Sequence, residues 1–397
     1  MTRPAQTNAR YLDAAATAPL RPEALEAMMR VYSSGPANAS SVHSPGHRAA
    51  SLVTTARTEV ASAFGIRPTG VVFTSGGTEA NNLAVIGLSL ANPRGRHLVT
   101  TAIEHPSVLR SCEFLERVYG FEITTLVVDP HGRVTAEALR SAIRPDTTLV
   151  SIGLANAEVG TVQDLASLAD VARNSGAIVH TDAVQAAASL PVSLAPQTWP
   201  GPVVDAVSIA SHKFGGPQGV GALLLARPLP LEPLLHGGGQ EGGIRSGTEN
   251  VAGIAGFAAA VTAARATVGS TAVALMASRD ELITRVLNEF PSARLTGHPI
   301  ERLPGHASFV FEKLSGEAVL VALDTAGFAV SSGSACAAGH DEPSPALLAL
   351  GLAPELAQSA VRFTLHQPLA EDEDSDDLER IVQVIGAELR RSGGVSA

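Results

Sequence analysis

Val203-Val-Asp-Ala-Val-Ser-Ile-Ala-Ser-His-Lys-Phe-Gly-Gly-Pro-Gln-Gly-Val-Gly221 joins an apolar run to a lysine and then to a cluster of glycines. Such a run reads as a buried strand, and Lys213 stands just past its end. A lysine normally seeks water, so its placement at the end of a buried strand suits an amine that must lose its charge and bond a carbonyl. The same segment also admits a lysine that merely snorkels at a strand-to-turn junction.

Working outward, short apolar runs alternate with helical patterns. Strands are expected at Val71–Thr74, His97–Thr101, 123–128, 148–154, 177–181, 204–209 and Gly221–Leu225. Helices are expected between them, at 78–90, 107–119, 135–142 and 163–175. This alternation predicts an α/β fold, a mostly parallel sheet flanked by helices. After about residue 265 the pattern changes to a helix at 272–290 and shorter strands at 307–312 and 361–365. The expected division is a large domain over 18–262 and a smaller α+β C-terminal domain over 263–397, which segment 1–17 joins. The acidic stretch 370–377 reads as the solvated start of a helix.

The 397 residues carry a formal charge of −10, which argues against nucleic-acid or membrane-surface partners. No membrane span is expected, and residues 1–6 show no apolar signal core, so the expected location is the cytoplasm. Two cysteines, Cys112 and Cys336, cannot make a disulfide framework or a zinc site. Cys112 sits at helical spacing and reads as a small buried hydrophobe. Cys336 lies among small residues in Ser331-Ser-Gly-Ser-Ala-Cys-Ala-Ala-Gly339, where a thiol reads as reactive.

Ligands of open parallel sheets collect outside the carboxyl ends of the strands. At those ends stand Ser75-Gly-Gly-Thr78, Glu104-His105, Asn156, Asp182 and Lys213. The Ser75–Thr78 turn opens a helix whose free N–H groups could hold a phosphate, although a simple N-cap would look the same. Asp182, at a buried strand end, needs a partner such as a protonated pyridine nitrogen. A metal shared with His180 is the other option, but it lacks a third ligand. His105 could stack on a ring or move protons, or it could simply precede Pro106 at a helix entry. Arg362 could receive a carboxylate bidentately, or could face water from an edge strand. Phosphate cup, pyridinium carboxylate and Schiff-base lysine together specify pyridoxal 5′-phosphate.

These segments resemble the cysteine desulfurases, pyridoxal-phosphate enzymes of the class-V aminotransferase group with the type I transferase fold. The likeness runs through 11–17, 38–43, 73–82, Glu104-His105, 180–185, His212-Lys213, 237–241, 245–250, 332–336 and Arg362. The loop from Cys336 to Ser344 is similar to the branch serving iron–sulfur cluster assembly and tRNA thiolation. By resemblance, Lys213 bonds the cofactor and then shuttles protons, Asp182 holds the pyridine nitrogen, Gln185 the ring hydroxyl, and His105 stacks on the ring. Gly77, Thr78, Ser211 and His212 would serve the phosphate, with Thr248 reaching that of the neighbouring subunit in a homodimer. Asn38, Asn156 and Arg362 would hold the carboxylate of L-cysteine. Cys336 would take the sulfur as a persulfide for a scaffold or other acceptor protein. No resident metal is implied, although Cys336 could ligate a nascent iron–sulfur cluster in passing.

The chain departs from the pattern in places. Ala210 stands where the family usually has Ser, and Ser211 follows it as the candidate replacement. Ala157 replaces a second Asn, Gly242 an Arg, and Leu365-His-Gln-Pro368 lacks a Gly-Arg pair. Two other functions remain open at this stage. One is a selenocysteine lyase or related β-lyase, and the other is a non-catalytic, partner-binding paralogue.

Overall fold

The computed structural model describes residues 10–92, 94–332, 342–372 and 375–392. Cys336 lies outside the described residues. Seven strands build the large sheet: β1 (Val71–Thr74), β2 (His97–Thr101), β3 (Glu122–Leu126), β4 (Thr147–Ser151), β5 (Ile178–Asp182), β6 (Ala206–Ala210) and β7 (Gly221–Leu225). Their order is β1-β7-β6-β5-β4-β2-β3. The pairings among β2 to β6 are parallel, and β7 runs antiparallel to both β1 and β6.

Side-chain alternation explains why the sheet is covered on both faces. Val99, Val150, Val179 and Val207 join one buried layer, while their neighbours Leu98, Leu149, Ile178 and Ala206 join the other. The first layer packs under α1 (Pro22–Ser33) and α2 (Ser44–Phe64). The second packs against α3 (Gly77–Asn82), which continues through a π turn at Leu83–Gly87, and α4 (Pro106–Tyr119). Cys112 belongs to the second layer, and burial pushes its thiol up to about 12. Two further helices, α5 (Ala136–Ala142) and α6 (Leu165–Asn174), complete the crossovers.

A second core gathers Leu12, Leu282, Phe309, Phe328, Phe363 and Ile381 around an antiparallel sheet. Its strands are β8 (Ala293–Leu295), β9 (His306–Phe311) and β10 (Val361–Thr364), with β9 in the centre. Helix α7 (Val251–Glu289) spans both cores, with Ile254 and Phe257 in the first and Leu282 and Val286 in the second. The expected boundary at 262/263 therefore falls inside one continuous helix. By length and composition alone α7 is apolar enough to cross a membrane. Within the protein, 56% of that window is buried, as befits a core helix. The acidic stretch leads into α8 (Asp377–Arg391), whose N-cap Asp376 accepts from the Glu379 N–H at 2.9 Å.

The N-terminal segment ties these parts together. Arg10–Tyr11 pairs in parallel with Phe328–Ala329. Leu12 O then accepts from the Thr364 N–H at 2.7 Å, and the Ala15 N–H donates to Thr364 Oγ1 at 2.8 Å. Residues 13–17 leave the second core as a strap toward the ends of β5 and β6.

Candidate active site

Lys213 sits in a single 3-10 turn, Ser211–Lys213, that directly follows β6. Its amine donates to the Ala15 and Ala16 carbonyls of the strap, the second at 3.0 Å. Gln185 Nε2 donates to the same Ala15 oxygen at 2.9 Å. The strap also fixes Arg362 from β10, whose Nη2 reaches Asp13 Oδ1 at 2.7 Å while Nη1 donates to Ala157 O at 3.1 Å. Arg362 is 3% exposed, and its Nε is buried without a partner. It is therefore no edge-strand arginine facing water. The four residues Asp13–Ala16 of the strap hold both the amine and the guanidinium.

Asp182 closes β5, one strand over from Lys213. Its Oδ1 accepts from the Val184 N–H at 2.9 Å and its Oδ2 from Asn81 Nδ2 at 2.6 Å. His180 plays no part in this site: it bridges Ser151 on β4 and Ser208 on β6, at 2.8 and 3.0 Å. Full burial lowers its pKa to about 3, so it is a neutral sheet residue. Among the described residues no three His, Cys, Asp or Glu side chains gather to hold a metal.

The Ser75–Thr78 turn faces a cavity of about 480 Å³ that Thr17, Thr78, His212 and Gln218 help to line. Gly76 has φ 154°, a conformation few side chains tolerate. A Cβ on Gly77 would stand 2.7 Å from Val184 Cγ2, so the helix start can lie close to the sheet only as glycine. Burial and the neighbouring Lys213 lower His212 to about 4, leaving it a neutral hydrogen-bonding group.

Ser211 is placed otherwise than expected. It is fully buried, its hydroxyl has no partner, and a Cβ on Gly216 would lie 2.2 Å from its Oγ. It thus fills space beneath Gly216 and does not line the phosphate cavity. Ala210 instead faces the start of α3, its Cβ 3.5 Å from where a Gly77 Cβ would stand. The strand ends at Ala210 and the 3-10 turn begins at Ser211, so the hydroxyl moved one residue along is turned inward beneath Gly216.

The remaining expected residues are dispersed. Asn156 spends its carboxamide on the Glu158 and Val159 N–H groups and on Ile103 O. Asn38 is exposed between α1 and α2 and accepts from the Ser40 N–H at 2.8 Å. Thr248 is exposed beside Ser75 and Arg245, in a smaller cavity that adjoins that of Thr78 through Ser75, Gly219 and Val220.

Three contributors, Asp13, Asn81 and Glu104, lie in stretches the sequence reading quoted but received no role there. Glu104 accepts from the Gly153 N–H and, at 2.7 Å, from the Thr101 hydroxyl. Burial is the main cause raising its pKa to about 7, with the Asp182 charge adding to it. The native state thus favours protonated Glu104, so its contribution to stability is present below about pH 4.5 and is lost as pH rises through about 7. Relative to wild type, Glu104→Gln is expected to gain up to about 3 kcal/mol of unfolding free energy between acid and mildly alkaline pH. Urea unfolding of both proteins at each pH measures this, and a pH-independent difference would sink it.

The donor set fits pyridoxal phosphate. A glycine cradle with Thr78 and neutral His212 suits a phosphate, Asp182 suits a pyridinium nitrogen, and Lys213 suits a carbonyl carbon. The class-V aminotransferase profile matches residues 10–377. A cysteine desulfurase IscS of Methanosarcina thermophila is 38% identical over 381 residues, covering 96% of this chain and 92% of that protein. A solved "NifS-like protein" superposes with TM-score 0.85 at 32% identity, covering 96% of this chain and all of that one. The solved "SspA in complex with cysteine" gives TM-score 0.78 at 33% identity over 90% of this chain and 99% of that one. A lysine at a strand end, its paired carboxylate and a match along nearly the whole chain agree: the chain belongs to the class-V aminotransferase family and, within it, to the pyridoxal-phosphate-dependent cysteine desulfurases.

Proposed function

We propose that the protein converts L-cysteine to L-alanine and takes the sulfur onto Cys336 as a persulfide for an acceptor protein. The observation that carries this reading is the strap at Asp13–Ala16, which holds the Lys213 amine and the Arg362 guanidinium together. An amine that bonds a carbonyl and a buried receiver for a carboxylate are what an amino-acid substrate requires. When bound, pyridoxal phosphate supplies an electron sink for the pair released as the C–S bond breaks.

The chain's own residues do the rest. Thr78, His212 and the N–H groups at the start of α3 hold the phosphate, Asp182 the ring nitrogen, Gln185 the ring hydroxyl, and His105 the ring face. Arg362 takes the substrate carboxylate, with its buried Nε as an available donor and Asp13 fixing its orientation. Asn156 supports this indirectly by setting the turn whose Ala157 carbonyl steadies Arg362. Lys213, once displaced from the cofactor, moves protons at the substrate carbons. Cys336 attacks the substrate sulfur; an S–S bond forms as the C–S bond breaks, and the carbon takes up a proton to give alanine. The reading requires one alanine per sulfur, with a Cys336 peptide that gains the mass of one sulfur atom. Alanine formation without that mass would overturn it.

The proposal extends to a homodimer working with iron–sulfur scaffolds or other sulfur acceptors. Exposed Leu25, Met29 and Tyr32 form an unpartnered apolar stripe on α1, and exposed Thr248 is free to serve another copy. The cytoplasm, a reducing compartment, suits a thiol that carries sulfur.

Ala210 bears on cofactor retention. Ala210→Ser would put a hydroxyl beside Gly77 at the start of α3, and it is expected to tighten pyridoxal phosphate binding about fivefold, the worth of one neutral hydrogen bond. Equilibrium dialysis against the cofactor measures this; unchanged retention would mean the hydroxyl finds no phosphate oxygen.

A further inference from the structure

A chain of hydrogen bonds that the mechanism leaves unused runs from Asp182 to His105. Asn81 is 1% exposed and sits on α3. Its Nδ2 donates one proton to Asp182 Oδ2 at 2.6 Å and the other to Ser107 Oγ at 2.9 Å. The carboxylate fixes this orientation, because turning the amide would set Asn81 Oδ1 against a carboxylate oxygen. Ser107 is buried on α4, and its Oγ lies 2.7 Å from His105 Nδ1. Because that oxygen accepts from Asn81, its own proton is left for the imidazole. The Ser107 backbone N–H also donates to Nδ1, at 3.1 Å.

Two donors aimed at one ring nitrogen decide where the ring proton sits. Nδ1 must be the acceptor, so neutral His105 carries its proton on Nε2. Protonating Nδ1 would set an N–H against the Ser107 N–H and force the hydroxyl to turn.

We propose that Asn81 and Ser107 are positioning residues that hold His105 as the neutral Nε2–H tautomer. Over the cofactor ring His105 is then a hydrogen-bond donor and does not serve as a general base at Nδ1. Burial lowers the His105 pKa, and although Asp182 favours protonation while Lys213 opposes it, the neutral ring is favoured overall. The adjacent Glu104 points the other way, into the Gly153 N–H. The inference rests on the reading of His105 as the ring-stacking residue, but its tautomer can be observed independently of any turnover.

Nitrogen-15 NMR of histidine-labelled protein, with and without pyridoxal phosphate, tests it, the His105 signals being those missing from His105→Asn. In wild type, Nδ1 is expected to stay unprotonated and Nε2 protonated through the neutral range. Ser107→Ala removes one of the two donors, and its His105 titration midpoint is expected to rise by about 0.7 pH, one neutral hydrogen bond's worth. The acid limb of kcat should move in the same direction, and Ser107→Thr, which keeps the hydroxyl, should restore both. Asn81→Leu, which frees the Ser107 hydroxyl to turn, is expected to shift the midpoint the same way. A wild-type His105 with its proton on Nδ1, or a Ser107→Ala midpoint that does not move, overturns the proposal. Normal tautomer behaviour in a protein that fails to release sulfur would instead count against the proposed reaction.

Discussion

Lys213→Ala is expected to lose cysteine turnover by more than about 10³-fold, because one side chain supplies both the covalent attachment and the proton transfers. The geometry makes rescue by a neighbour improbable in physical terms. His212, the adjacent candidate base, is held neutral with a pKa of about 4 and faces the phosphate cavity. Gln185 shares the Ala15 carbonyl with Lys213 but cannot form the bond. The variant should still bind the cofactor through Thr78, Asp182 and the glycine turn, though without the visible absorption of a lysine-bound carbonyl. Alanine production together with an absorption spectrum tests both halves. Turnover within about tenfold of wild type would remove Lys213 from the chemistry.

Cys336→Ser is expected to abolish sulfur release from cysteine, with a loss beyond about 10³-fold, while leaving cofactor binding intact. A serine hydroxyl is not ionised near neutral pH and is a far poorer nucleophile toward sulfur than a thiolate. The described ends of the Cys336 segment are firmly placed. Ser331 exchanges backbone hydrogen bonds with Arg362, at 2.7 and 3.2 Å, and Ser344 donates its hydroxyl to Glu158. Burial raises Glu158 to about 6 in spite of that bond and of nearby Arg362. Sulfide assays on the variant decide the matter. Wild-type rates would break the persulfide route, and activity retained on selenocysteine alone would favour a lyase.

Much of this could be read from the sequence because parallel sheets report themselves. Val99, Val150, Val179 and Val207 are each followed or preceded by a second apolar residue, since both faces are covered, and the polar residue after each run marks a strand end. Lys213 and Asp182 were legible for that reason. The long range of the decisive contacts hid the rest. Asp13 meets Arg362 across 349 positions, and Asn81 meets Asp182 across 101, so no local pattern announces either pair. Ser211 misled for a simpler cause. Ala210 ends the strand and Ser211 opens the 3-10 turn, so one step along the chain carries the hydroxyl beneath Gly216. The continuity of α7 between the helical patterns at 251–261 and 272–290 is hidden, because threonines, a serine and Gly269 between them weaken the helical signal without ending the helix.

The strap that carries the Lys213 and Arg362 contacts imposes a timetable on synthesis. Ala15 finds its anchor in Thr364, 349 residues further along the chain. At ribosomal speeds of about 5–20 residues per second, roughly 20–70 s separate the emergence of the two. Throughout that interval the large sheet can fold and Gln185 can meet the Ala15 carbonyl, yet the Thr364 end of the strap has no anchor. Cofactor loading in its final geometry is therefore an event that follows translation, and a nascent chain stalled before β10 would expose an open, unfinished pocket to the cell's quality control.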